Sequence, residues 1–279
     1  MKYKIIVDSC CELKEEYKND PRFDIVPLSI QVGDYNVVDD ENFNQAELLS
    51  VLASSPAAPK SACPAPGLYL DAYLRADADE IFVVTLSSEL SGSYNSAMVA
   101  LDMFEEEKGS RKIQVVDSES ASCGELQIVD QIIAMEEAGC DFDEIVGRIE
   151  VFRNNMQTYF VLDSLDTFKK TGRLKGVKSL VASSLNIKPV LQGVKGGIAQ
   201  LDQGIGMRKA LSKMVDHLVA DLKGRTDKCL FISHCNAPER AEKVKEMILQ
   251  HAKFAKVLII DTRGISSLYA NDGGIIVTV

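Results

Sequence analysis

Short runs of β-branched and other apolar residues alternate with segments whose apolar positions repeat at helical spacing. The apolar runs predict strands, namely YKIIV (3–7), IVPLSI (25–30), IFVVT (81–85), IQVV (113–116) and YFVL (159–162). The amphipathic segments predict helices at about 43–54, 66–76, 93–107, 123–138 and 142–154. Strands that alternate with helices favour a parallel sheet with helices on both faces. The first part of the chain is therefore predicted to be an α/β domain.

A different pattern begins after about residue 157. The apolar runs 187–192 and 198–202 flank a glycine-rich segment, which predicts an antiparallel β-hairpin. The pattern then predicts helices at 207–222 and 239–254, and strands at 229–233, at 257–261 and in the closing GGIIVTV. We therefore expect an α/β fold of two domains, a parallel N-terminal domain over 1–157 and an α+β C-terminal domain over 158–279.

The charge of the chain argues against two classes of partner. Its 279 residues carry a formal net charge of -10, whereas contact with nucleic acid or with an anionic membrane requires clustered lysine and arginine. No apolar run approaches the roughly 20 residues of a membrane span. Acidic residues follow the first strand at once, which is unlike a secretory signal. We therefore expect a cytoplasmic protein without stable membrane insertion.

Seven cysteines are scattered along the sequence without a CxxC pair. An odd number at irregular spacing disfavours a disulfide framework. Free thiols are expected in a reducing compartment.

The stretch TLSSELSGSYNSA (85–97) places small hydroxyl residues between a predicted strand and a predicted helix. Gly92 lets another group approach the backbone closely, and the first turn of the helix offers unpaired N–H groups to an anion. Ser91 and Ser93 then add hydroxyl donors. The alternative is that one of these serines only caps the helix.

A catalytic serine needs a base within reach, and the GxSxG elbow is absent. The histidine best placed for this role is His234, at the end of a predicted strand. The phosphate-binding GxxxxGK[ST], HExxH and EF-hand patterns are also absent. We expect no catalytic residue, no cofactor and no metal.

Two further segments carry polar groups in suggestive positions. DSCCEL (8–13) follows the first strand directly, so Asp8 and Ser9 lie either at the ligand-binding edge of the sheet or at a helix cap. PKSACPAPG (59–67) predicts a stiff, proline-rich loop that presents the hydroxyl of Ser61.

In chain order, these segments resemble the motifs of the DegV family of bacterial lipid-binding proteins. VDSCCEL resembles the family's TDSTADL, KSACPAPGLYLDAY its TSQPSPGEFLEAY, TLSSELSGSYNSA its LSSGLSGTYQSA, and LDSLDTFKKTGRL its segment ending in LKKGGRI. NIKPVL and ISHCNAPERAEKVKE continue the series. Each motif alone is loose, but their shared order is specific.

The resemblance implies a two-domain DegV-like fold that encloses one long-chain fatty acid between its domains. It implies that Ser61, Ser91 and Gly92 bind the carboxylate while an apolar tunnel holds the tail. The family also includes subunits that present the fatty acid to a separate ATP-binding kinase subunit, which forms acyl phosphate. The resemblance thus implies a binding protein that does no chemistry alone.

This sequence departs from the family pattern at four places. Ser61-Ala62-Cys63 stands where the family has TSQ, and Asn271-Asp272 stands where it has Gly-Pro. Tyr269 stands where the family has a histidine, and it joins the expected carboxylate-binding residues because a phenol also donates a hydrogen bond. Ile205 stands where an arginine is usual. A stand-alone lipid carrier or sensor, and a small-molecule hydrolase or transferase that uses Ser91 or Ser93, remain alternatives.

Overall fold

The structure is a computed structural model that describes residues 1–174 and 186–279. The strands are β1 (Tyr3–Asp8), β2 (Phe23–Val26), β3 (Ser29–Val32), β4 (Tyr35–Val38), β5 (Lys60–Ala62), β6 (Glu80–Thr85), β7 (Lys112–Asp117), β8 (Thr158–Val161), β9 (Ile187–Val194), β10 (Gly197–Ile205), β11 (Cys229–His234), β12 (Lys256–Asp261) and β13 (Ile275–Thr278). The helices are α1 (Glu15–Lys18), α2 (Gln45–Ser54), α3 (Pro66–Arg75), α4 (Ser93–Lys108), α5 (Cys123–Glu137), α6 (Phe142–Asn155), α7 (Asp166–Lys170), α8 (Gly206–Leu222), α9 (Pro238–Leu249) and α10 (Gly264–Ala270). The predicted mixed α/β fold is confirmed.

The N-terminal sheet is parallel and has the order β2-β1-β6-β7. Every residue of β1 and β6 is buried, which is expected of central strands covered by helices on both faces. Helices α3 and α4 pack on one face around Tyr73 and Phe104, and α5 and α6 pack on the other around Phe82 and Phe142.

The C-terminal sheet has the order β10-β9-β8-β13-β11-β12, and its pairs are antiparallel except β11 with β12. The predicted β9–β10 hairpin forms here, and it turns at Lys195 and Gly196, both with positive φ. The strand YFVL, which the sequence placed in the parallel series, pairs antiparallel with β13 and β9. Its apolar composition alone does not set the direction of its neighbours.

Helix α5 lies between the two sheets. It contacts β6 on one side and β11 and β13 on the other, and its buried residues extend round the helix. A helix with apolar neighbours on all sides is expected in the interior. The order of layers is therefore α3/α4, N-terminal sheet, α5/α6, C-terminal sheet, and α8/α9.

A small three-stranded antiparallel sheet, β4-β3-β5, was not predicted. The run IVPLSI is divided at Pro27 and Leu28, so its first half ends β2 and its second half begins β3. Residues 60–62, predicted as a loop, form β5 instead. Three-residue strands and the short helix α10 carry too little periodicity to be read from sequence.

Within the described ranges, no helix is long and apolar enough to cross a membrane.

Candidate functional site

A cavity of about 280 Å³ lies between the small sheet, the loop before α4, helix α10 and the C-terminal sheet. Its wall is mainly apolar, and the apolar side chains that line it include Leu28, Leu86, Phe160, Leu162, Phe168, Ile198, Ile265 and Ile276. The lining residues come from both the first 122 residues and residues 158–276. All four predicted site residues line this one cavity, namely Ser61, Ser91, Gly92 and Tyr269.

Two hydroxyl groups meet in the cavity wall. Ser61 lies in β5, where it pairs with Ile30 of β3, and Tyr269 lies near the end of α10. The Oγ of Ser61 and the phenolic oxygen of Tyr269 are 3.0 Å apart, within hydrogen-bond distance. Both side chains are half-buried. A ligand oxygen that reaches this pair finds two donors held by different elements.

Gly92 brings a second set of donors beside the first. It precedes α4, and a Cβ at this position would lie 2.8 Å from the Sγ of Cys63, two residues after Ser61. Only a residue without a side chain permits this approach. The backbone N–H of Gly92 is left without an acceptor among the described residues.

Ser91 supplies a hydroxyl at the same turn. Its Oγ accepts a hydrogen bond from the backbone N–H of Ser93 at 3.2 Å and lies 3.1 Å from the Oγ of Ser93. Ser91 therefore stabilises the first turn of α4, and it also lines the cavity. Gly92 is the N-cap of α4, so neither Ser91 nor Ser93 occupies the capping position.

Arg173 and Phe168 also line the cavity, and the sequence patterns had assigned them no role. The guanidinium carbon of Arg173 lies 5.4 Å from the ring centroid of Tyr269, and its Nε donates to the carbonyl of Leu90 at 3.0 Å. The ring of Phe168 lies 4.8 Å from that of Tyr269. Both residues fall in the segment LDSLDTFKKTGRL, so the motif match was the available signal. Arg173 brings a positive charge close to the ring of Tyr269.

The β9–β10 turn is tied to the loop that carries Ser91. The Oγ of Ser87 donates to the carbonyl of Gly196 at 2.7 Å. A Cβ on Gly196 would lie 2.6 Å from that same Oγ, so glycine permits the contact. This bond joins the hairpin to the hydroxyl-rich loop across the cavity.

The geometry does not supply Ser91 with a histidine base. His234 is buried, and its Nδ1 lies 3.2 Å from both the backbone N of Ala237 and the Oδ1 of Asp261. Within residues 1–174 and 186–279, no histidine lines the cavity or forms a hydrogen bond with Ser91 or Ser93.

Asp8 and Ser9 act inside the fold rather than at a helix cap. The carboxylate of Asp8 accepts from the backbone N–H groups of Cys10 and Leu86, at 3.0 and 2.9 Å. The Oγ of Ser9 accepts from Leu28 N at 3.0 Å. These bonds hold the loop after β1 against the start of the loop after β6.

Among the described residues, one group of side chains has metal-ligand character, and its Cys10 lines the cavity. Asp8, Cys10 and Glu125 are fully or almost fully buried, with their ligand atoms within 4.8 Å of one another. Burial raises the pKa of Glu125 well above its usual range and also raises that of Cys10. Burial therefore disfavours the charged forms of both side chains.

The departures at 205 and 271 have distinct structural settings. Ile205 ends β10 opposite Ile187, and its side chain is 77% exposed. Asn271 ends α10 with φ of 56° and ψ of 172°, a backbone conformation that side-chain-bearing residues rarely adopt.

Comparisons with known proteins match the whole chain. The fold and the cavity define an α/β protein of three sheets with a largely apolar cavity. The family model for DegV matches residues 2–277, and the chain belongs to the DegV family. A DegV domain-containing protein from Streptococcus gordonii is 34% identical over 280 residues, covering 99% of this chain and 98% of that protein.

Solved structures of the family superpose closely. A DegV family protein from Ruminococcus gnavus, solved with vaccenic acid, has a TM-score of 0.96, 46% identity and 99% coverage of both chains. One from Eubacterium eligens, loaded with heptadecanoic acid, has a TM-score of 0.89, 30% identity and coverage of 99% and 98%. The Streptococcus pneumoniae fatty acid kinase B3 protein, loaded with linoleic acid, has a TM-score of 0.88, 30% identity and coverage of 100% and 99%.

Proposed function

We propose that this protein binds one long-chain fatty acid in the cavity, with the carboxylate at Ser61, Ser91, Gly92 and Tyr269. The observation that carries the proposal is the convergence of these donors on one mainly apolar cavity, with the Ser61 and Tyr269 hydroxyls 3.0 Å apart. The bound acid would lie between a domain of residues 1–157 and a domain of residues 158–279.

A carboxylate in this wall needs donors because an unpaired buried charge is expensive. The hydroxyls of Ser61, Ser91 and Tyr269 and the N–H of Gly92 can each donate one hydrogen bond. Arg173 adds a nearby positive charge, and the N-terminal end of α4 favours an anion. The Ser61 and Tyr269 hydroxyls bond to each other in this structure, and the carboxylate would replace that bond.

The acyl chain supplies most of the affinity. Each buried methylene contributes roughly 0.8 kcal/mol, so about fourteen methylenes give on the order of 11 kcal/mol before the entropy of ordering the chain is subtracted. The apolar lining of Leu86, Phe160 and Ile198 fits such a tail. The fatty acids named for the R. gnavus, E. eligens and S. pneumoniae proteins support this class of ligand.

We further propose that the protein is not itself catalytic and presents its fatty acid to a separate ATP-binding kinase subunit. The likeness to the S. pneumoniae fatty acid kinase B3 protein supports this role. The seven unpaired cysteines fit the reducing cytoplasm.

Lipid extraction tests the binding proposal. We expect organic solvent to release a long-chain fatty acid from the purified protein, identified by mass spectrometry. Ser61→Ala and Ser91→Ala should carry less. A wild-type protein that is empty and ignores added long-chain acids would contradict the proposal.

The kinase role is tested by adding ATP and a fatty-acid kinase ATP-binding subunit from the same genome to the loaded protein. Acyl phosphate, trapped as hydroxamate, is the expected product. If the acid binds but no such subunit acts on it, the protein is a stand-alone carrier or sensor instead.

A further inference from the structure

Helix α10 cannot hold its own position. It has only seven residues, and its N-cap residue, Arg263, makes no side-chain capping bond. An isolated helix of two turns is unstable in water, and its first N–H groups have no intrahelical acceptor. Yet this helix places Tyr269 at the cavity, so something outside it must fix its orientation.

Two carboxylates from other parts of the chain accept these N–H groups. Oε2 of Glu12 accepts from Arg263 N at 3.0 Å, and Oδ2 of Asp39 accepts from Ile265 N at 3.0 Å. Glu12 and Asp39 are only 1% and 2% exposed. Buried acceptors of this kind hold a backbone more strongly than exposed ones, because water does not compete for the donors.

Gly264 shows how closely Asp39 is seated. A Cβ on Gly264 would lie 1.8 Å from the carboxyl carbon of Asp39, so any side chain would expel it. The Oδ1 of Asp39 has no hydrogen-bond partner among the described residues, and its Oδ2 accepts from Ile265 N, which is the hydrogen bond that ties Asp39 to α10.

Asp39 also belongs to the sheet that carries Ser61. It follows β4 directly, its own N–H donates to the carbonyl of Leu28 at 2.9 Å, and β3 pairs with both β4 and β5. The hydrogen bond between Asp39 and Ile265 therefore connects the small sheet, which carries Ser61, to α10, which carries Tyr269.

We propose that Asp39 is a positioning residue for the carboxylate site, which holds Tyr269 in register with Ser61 by accepting from the N–H of Ile265. Asp39 does not touch the ligand. Its effect reaches the ligand through the orientation of α10, so its loss weakens recognition of the headgroup more than retention of the tail. This inference rests on the proposed fatty-acid function.

The test measures headgroup recognition as a ratio. Each protein is incubated with hexadecanoic acid and an excess of 1-hexadecanol, separated from free lipid, and analysed for both by mass spectrometry. The wild type is expected to favour the acid. Asp39→Ala is expected to lower the acid-to-alcohol ratio at least tenfold while its total bound lipid changes less than threefold. Asp39→Asn, which keeps an acceptor oxygen, is expected to retain most of the preference.

The matched control is Asp40→Ala, at the neighbouring residue, which should behave as wild type. If Asp39→Ala does not fold, Gly264→Ala tests the same hydrogen bond, because the added methyl group displaces the Asp39 carboxylate from Ile265 N. A wild-type ratio in the altered proteins, or an equal loss of acid and alcohol, would overturn the positioning role. A wild type that binds neither lipid would contradict the proposed function instead.

Discussion

The phenolic oxygen of Tyr269 lies 3.0 Å from the Oγ of Ser61, although 208 positions separate the two residues in the chain. Ser61 is held by a three-residue strand and Tyr269 by a seven-residue helix. The pair is therefore assembled by the packing of two elements that lie far apart in the chain.

Removing the Tyr269 hydroxyl should weaken binding of the acid specifically. A hydrogen bond to a charged group contributes about 1.5–3 kcal/mol, so Tyr269→Phe should reduce fatty-acid affinity by roughly 10- to 100-fold. Isothermal titration or displacement of a fluorescent fatty acid measures the change. Tyr35→Phe is the control, since the Tyr35 hydroxyl has no partner among the described residues. Equal affinity of Tyr269→Phe and wild type would remove Tyr269 from the site.

Adding a methyl group at Gly92 should push the turn that carries Ser91 and Gly92 away from the strand that carries Ser61. The new Cβ would meet Cys63 at 2.8 Å, and overpacking of this kind destabilises by about 1–3 kcal/mol. We expect Gly92→Ala to lower both the melting temperature and the fatty-acid affinity. The double variant Gly92→Ala/Cys63→Ala should recover much of the melting temperature and of the affinity, because it removes the Cys63 sulfur that the methyl group would clash with.

Gly147→Ala is the matched control for that experiment. Gly147 lies in α6, where an added methyl group would meet no described heavy atom within 4 Å beyond its own helix backbone and chain neighbours. Alanine should therefore leave binding unchanged and add helix propensity. Failure of the double variant to recover would show that the methyl group at position 92 acts by a route other than Cys63.

Stability should fall as the pH rises from mildly acidic to alkaline values. Burial raises the pKa of Glu12 from about 4.5 to about 8, and burial likewise raises that of Asp39 from 3.8 to about 6. Between the unfolded and folded pKa values, the folded chain retains protons that the unfolded chain releases. The free energy of unfolding therefore decreases as pH rises through about 4 to 8.

Urea denaturation at pH 5.5, 7 and 8.5 measures this decrease. Glu12→Gln should flatten the profile, since an amide does not titrate and still accepts from Arg263 N. Glu16→Gln, at an exposed carboxylate, should leave the profile unchanged. An unaltered slope in Glu12→Gln would mean that Glu12 is ionised in the folded protein across this range.

The hydrolase alternative predicts that Ser91 acts as a nucleophile, and the geometry of the site argues against this. Ser91 has no histidine base among the described residues, and its hydroxyl braces the start of α4. We expect the purified protein to hydrolyse p-nitrophenyl esters no faster than a Ser91→Ala variant. Serine-dependent turnover would revive a nucleophilic role for Ser91.

Much of the fold was predictable because its signals are local. The strands β1, β6 and β7 are short apolar runs, and α4 and α8 have one apolar stripe each, so their positions follow from sequence periodicity. The glycine-rich turn predicted the β9–β10 hairpin. The division of IVPLSI into β2 and β3 was missed because both halves are apolar and only their partners differ.

Part of the candidate site was also visible. The serine-rich turn at 91–93 predicted either an anion site or a helix cap, while the resemblance to DegV motifs indicated Ser61 and Tyr269. The sequence did not assign a role to Asp39, Arg173 or Phe168. Nothing in the neighbouring sequence distinguishes an acid after an exposed strand, or a cation in a polar segment, from an ordinary surface residue. Their contacts come from distant segments.

The sequence by itself determined the long helices and most strands of the two larger sheets, where the glycines fall and which hydroxyls were available, since these depend on neighbours a few residues apart. Only the tertiary structure decided that Ser61 meets Tyr269, that Gly92 faces Cys63 and that Asp39 accepts from the start of α10. Such contacts depend on burying distant apolar surfaces together, and that burial is a property of the whole chain rather than of any one segment.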